Sequence, residues 1–113
     1  MKFFTYFVKN RIGISRGIDS LVLCTQRALT GYVQSNLRAV YVDEAYMEVK
    51  AFFYFDGPID EENAEAVECV LSEIISNFSQ SELEIMQFNY KPIRIDAPNP
   101  IPPEGHCVYF RYE

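Results

Sequence analysis

The sequence predicts an α+β fold: an antiparallel sheet of about four strands with two helices packed on one face, in the order α-β-β-α-β-β. Three observations predict it. Residues 46–56 alternate side chains with the two-residue period of a strand, and residues 59–78 repeat apolar side chains at helical spacings. Glycine and proline clusters at 56–58 and 97–105 separate the periodic segments. With 113 residues the chain has room for one hydrophobic core, so a single domain over 1–113 is expected.

The elements follow in order. Residues 1–9 are a short apolar segment that reads as a strand or as the first turns of a helix. Lys2 and Lys9 flank it and no small-residue cleavage site follows, so a signal peptide is not expected. In residues 18–33, Ile18, Leu21, Val22, Ala28, Leu29 and Val33 lie mostly three and four apart, which predicts a helix. Ser35 and Asn36 read as its exit turn. Residues 37–42 form a strand, with β-branched Val40 and Val42, and 43–45 read as the hairpin connection. In the strand that follows, Met47, Val49, Ala51, Phe53 and Phe55 form the core face. Tyr46, Glu48, Lys50, Phe52, Tyr54 and Asp56 form the other, which meets solvent, a partner or a second layer.

Gly57 and Pro58 make a turn into the strongest helix, where Ala64, Val67, Leu71, Ile74 and Phe78 form one apolar stripe. Residues 83–90 and 93–96 read as strand material interrupted at Pro92, which suits an edge strand because proline cannot donate to a ladder. Residues 97–105 hold Pro98, Pro100, Pro102 and Pro103 in an extended loop. Residues 106–112 alternate again and close the sheet.

Charge is divided along the chain. In residues 1–42, six basic residues stand against Asp19 alone, a net +5; in residues 43–113, fifteen carboxylates stand against Lys50, Lys91, Arg94 and Arg111, a net −11. An acidic surface of this size repels nucleic acid and anionic membrane and favours a basic partner. No segment approaches the roughly 18 apolar residues of a membrane span. The odd, scattered cysteines Cys24, Cys69 and Cys107 make a poor disulfide framework and suit a reducing, cytoplasmic setting as small buried hydrophobes.

Chemistry-bearing motifs are missing. The one histidine, His106, is adjacent to Cys107 in a strand, so the two point to opposite faces and do not share a metal. The acidic helix has no calcium-loop spacing, and the glycines form no phosphate-binding loop. Ser15, Ser20 and Cys24 have no base at a recognisable spacing. No catalytic residue, metal or cofactor is expected, and the chain is not expected to be an enzyme.

The acidic helix reads either as a plain solvated face or as a partner-binding surface. Glu61, Glu65, Glu68 and Ser72 fall at i, i+4, i+7 and i+11, one stripe of a helix that contains no Lys or Arg. A solvated face is the commoner meaning of such a stripe on a surface helix, but like charges at these spacings repel, and a helix selected only for stability interleaves signs. Asp60 joins this stripe at the helix start. Asp43, Glu44, Glu48 and Asp56 add to the negative charge from the hairpin, with Tyr54, Tyr46 or Phe52 as aromatic anchors.

The run Asn36-Leu37-Arg38-Ala39-Val40, then Phe53-Tyr54-Phe55-Asp56-Gly57 before an acidic helix containing Ser72-Glu73-Ile74-Ile75, has a familiar order. So does the ending Ile93-Arg94-Ile95-Asp96, a proline-rich loop, and Val108-Tyr109-Phe110-Arg111-Tyr112-Glu113. Over residues 20–113 the chain resembles small bacterial immunity proteins of contact-dependent growth inhibition systems. That resemblance implies a cytoplasmic antitoxin, which binds and blocks the C-terminal toxin domain of a cognate delivered protein. Such toxins are often nucleases, so the expected partner is a basic RNase or DNase domain, not nucleic acid or membrane. The alternative is an acidic interaction module or small subunit of another bacterial complex. The oligomeric state is left open.

Overall fold

The computed structural model describes the backbone of residues 8–9, 12–13 and 18–113, with side chains from Ser20 onward. Most of the apolar segment 1–9 therefore lies outside the described residues. Its end, β1 (Val8–Lys9), pairs antiparallel with β2 (Ile12–Gly13). Then come α1 (Ile18–Ala28), β3 (Leu37–Ala45), β4 (Glu48–Phe55), α2 (Glu61–Ile75), α3 (Gln80–Ile85), β5 (Gln87–Arg94) and β6 (His106–Phe110). The main sheet has the order β5-β4-β3-β6.

The α+β class and the four-stranded sheet agree with the sequence reading, but the sheet is mixed rather than antiparallel. β3 runs antiparallel to both β4 and β6, whereas β5 runs parallel to β4. The cause is the connection: β4 reaches β5 through two helices, and a crossover of that length returns the chain in the same direction. The second correction is α3, six residues inside a stretch read as turn and strand. Ser79 caps it by accepting from the Glu82 amide at 3.2 Å, while the Glu82 carboxylate accepts from the Ser79 amide at 2.7 Å. This reciprocal pair is a capping box, and its Ser-x-x-Glu spacing was present in the sequence.

Other boundaries move modestly. α1 ends at Ala28, and Val33 is exposed. β3 continues through Asp43 and Glu44 to Ala45, so the hairpin turn is Tyr46–Met47 rather than 43–45, and Met47, expected on the core face, is half-buried in that turn. β5 runs unbroken through Pro92 rather than being interrupted there, because as an edge strand it tolerates a residue without an amide donor. Cys24 and Cys69 are half-buried, but Cys107 is exposed, because β6 turns it away from the helices.

The core lies between the sheet and its helices. Val49, Ala51, Phe53 and Phe55 of β4 pack against Leu21 and Leu29 and against Val67, Val70, Leu71 and Ile74 of α2. On β3 the same face carries Leu37, Val40 and Val42. The parity changes because Arg38 is an extra residue in a bulge: Leu37 pairs with Phe55, and Ala39 already pairs with Tyr54.

The opposite face has a second, smaller core. Ala39, Tyr41 and Tyr54 are buried there, with Phe52, Ile93, Ile95 and Ile101 packed around them. Ile95 and Ile101 bring the proline-rich segment over the sheet. That segment rejoins β6 at Gly105, whose φ of +90° and whose closeness to the Val42 carbonyl leave no room for a side chain.

Candidate partner-binding surface

α2 starts where its sequence directs. Asp60 is the N-cap: its carboxylate accepts from the Asn63 amide at 2.8 Å, and Asn63 Oδ1 accepts from the Asp60 amide at 3.1 Å. Asn63 is buried and fully used. Its Nδ2 donates to Gln34 and Asn36, and its Oδ1 also accepts from Asn36. The segment before β3 thus fixes where α2 begins.

From that start Val67, Val70, Leu71 and Ile74 turn inward, while Ala64, read as the head of the apolar stripe, is exposed together with Glu61, Glu62, Glu65, Glu68, Ser72 and Glu73. Glu61 and Glu62 lie in the first turn, where their charge is favourable to the helix dipole by about 0.3–1 kcal/mol each. Glu65 and Glu68 gain nothing from the dipole. None of these carboxylates pairs with a described Lys or Arg.

Three of the described arginines, Arg38, Arg94 and Arg111, are held by carboxylates outside α2, while Arg27 is exposed on α1. Arg38 is buried and grips Glu113 through Nε and Nη2 at 2.7 and 2.8 Å, while its Nη1 donates to the carbonyls of Ile95 and Asn99. Arg111 bridges Asp56 and Glu113 at 3.1 and 3.0 Å and donates to the Ser35 carbonyl. Arg94 makes two bonds to Asp96, whose Oδ1 also accepts from the Gly57 amide. The bond from Arg38, with help from Arg111, holds the Glu113 carboxyl down at about 2. Asp96 is lowered by Arg94 and the Gly57 amide. This network pins the proline-rich loop, and it leaves these cations unavailable to α2.

The other residues named from sequence separate into groups. Glu48 is bound by Asn89 and lies 4.0 Å from Lys50. Asp43 and Glu44 are half-buried near the hairpin turn, far along the sheet from Asp60 at the start of α2. Asp56 is half-buried, bonded to Arg111 and to the Ala97 amide, so it serves the loop. Tyr54 is 0% exposed. The loop over the second core covers it, and it presents nothing to a partner. Burial also raises its phenol pKa. Tyr46 takes the exposed aromatic position instead.

Sequence periodicity could not find the Arg38–Glu113 pair. It needs a bulge and a contact across 75 positions, and neither leaves a local signal. Among the described residues no group of His, Cys, Asp and Glu could hold a metal ion, and no helix is long and apolar enough to cross a membrane.

Residues 18–113, most of the chain, match the family model described as MafI2 immunity protein. No curated protein matches the chain.

Proposed function

Because the chain belongs to the MafI2 immunity-protein family, whose members are components of toxin–immunity systems and not enzymes, we propose that it neutralises its cognate toxin domain by stoichiometric binding through an acidic surface. The outer face of α2 is the docking element. Asp60, Glu61, Glu65 and Glu68 meet a basic surface of the toxin, and Asp43, Glu44 and Glu48 extend the negative field at the hairpin. One observation carries this reading: α2 holds its carboxylates exposed and, among the described residues, without a Lys or Arg partner, while Arg38, Arg94 and Arg111 are bound to carboxylates elsewhere.

A nuclease is the toxin class this charge suits. A cleft that holds phosphates is basic, and an acidic protein in that cleft competes with the substrate. Complementary potentials also speed encounter, which matters when one free toxin molecule is damaging.

The test is co-expression with the C-terminal toxin domain encoded beside this chain, scoring growth and co-purification together. The expected result is restored growth with a one-to-one complex. Toxicity without protection would contradict the proposal. A complex that leaves nuclease activity intact would contradict the competitive mechanism.

A further inference from the structure

The exposed face of α2 carries charge but no large apolar side chain. Such a face sets association rate and orientation, whereas slow dissociation needs a desolvated anchor, most often Tyr, Trp or Arg. The end of the sheet where β3 turns into β4 has what α2 lacks. Tyr46 stands at the turn, 78% exposed. The Met47 carbonyl accepts from the Gln87 amide at 2.8 Å, which brings the end of α3, with exposed Ile85, beside it. On the other flank, exposed Leu23 lines a pocket of about 100 Å³ with Arg27, Glu44 and Phe78. Asp43, Glu44 and Glu48 lie on the hairpin arms, and Glu84 is exposed on α3. The turn itself is unusual: Met47 has a φ of +60°, a conformation that glycine or asparagine adopts at lower cost.

A second exposed apolar group, Val33, Phe110 and Tyr112, lies at the opposite end of the sheet. Its neighbours Arg111, Glu113 and Asp56 satisfy one another. Among the described residues the charges at that end pair with one another, whereas Asp43 and Glu84 at the hairpin end have no ion-pair partner and can meet a basic one.

We propose that the β3–β4 hairpin tip is the anchor of the complex, with Tyr46 seated in a pocket of a cationic toxin surface and the hairpin carboxylates ringing it. The inference rests on the toxin-binding reading above and divides the labour within it. α2 governs how fast the partners meet, and Tyr46 governs how long they stay together.

The experiment measures association and dissociation rates between the purified toxin domain and three forms of this chain: unaltered, Tyr46→Ala and Tyr112→Ala. Thermal midpoints of all three check folding, and both side chains are exposed enough to be removed without unfolding. Tyr46→Ala should dissociate at least about 30-fold faster, as loss of a binding hot spot does, with association changed less than about twofold. Tyr112→Ala should behave like the unaltered chain. Unchanged dissociation of Tyr46→Ala from a toxin that the unaltered chain binds overturns the anchor and leaves toxin binding intact. A fast-dissociating Tyr112→Ala moves the anchor to the other end and also overturns the inference. If the unaltered chain does not bind the toxin, the toxin-binding reading fails and the anchor fails with it.

Discussion

Phe53 and Tyr54 are neighbours on β4 and both are buried, but what covers them differs. Phe53 points at two helices and is held by aliphatic packing against Val67, Val70 and Ile74. Tyr54 points at an irregular, proline-rich loop whose position depends on Arg38, Arg111 and Glu113. One face of the sheet is closed by nonpolar burial, which is insensitive to pH and salt. The other is closed by a polar latch. The latch also determines the outer surface, because it keeps these arginines away from α2.

The comparison can be broken from either side. Phe53→Ala opens a cavity in rigid, close-packed surroundings and should cost about 3–5 kcal/mol in denaturant unfolding. Arg38→Ala removes two of the three bonds to Glu113, leaving only that from Arg111, and leaves the Ile95 and Asn99 carbonyls without this donor, and should cost about 3 kcal/mol. It should also expose residues 95–104 to protease well before global unfolding, a pattern that Phe53→Ala would not share. Equal protease resistance of the loop in Arg38→Ala and the unaltered chain would mean that the latch does not hold it.

The latch should respond to acid. Glu113 titrates at about 2 in the folded protein against the usual 4.5. Its stabilising contribution is therefore complete above pH 4.5 and is lost as the pH falls toward 2. Glu113→Gln should flatten the acid limb of a stability–pH profile in that window, and an unchanged limb would assign acid sensitivity to other carboxylates. Smaller effects belong to single groups. Tyr54 Oη is buried without a partner, so Tyr54→Phe should be neutral or stabilising by up to about 1 kcal/mol. Replacing Glu65 and Glu68 by Gln relieves like-charge repulsion and should stabilise α2 by about 0.2–0.5 kcal/mol.

The two faces also differ in how well the sequence announced them. The helix face was legible because its residues repeat locally: the alternation from Val49 to Phe55 and the stripe from Val67 to Ile74 are both buried as the spacing requires. The loop face was not. Tyr54 sits on the mixed side of the alternation, where solvent, a partner and a second layer are equivalent from sequence, and a distant loop decided among them. β5 was read as antiparallel because strand direction depends on the length of the connection, and α3 lay inside that connection. On the candidate surface, the α2 stripe was visible in sequence. The sequestration of Arg38, Arg94 and Arg111 by carboxylates outside that stripe was visible only in three dimensions.

The most direct test of acidic docking is the association rate with the cognate toxin domain as a function of ionic strength, for the unaltered chain and for a variant with Glu61, Glu65 and Glu68 replaced by Lys. The account predicts a rate for the unaltered chain that falls at least about tenfold from low to high salt, and a variant that starts slow and responds weakly. A rate for the unaltered chain that ignores salt, or a variant that associates as fast as the unaltered protein, would contradict it.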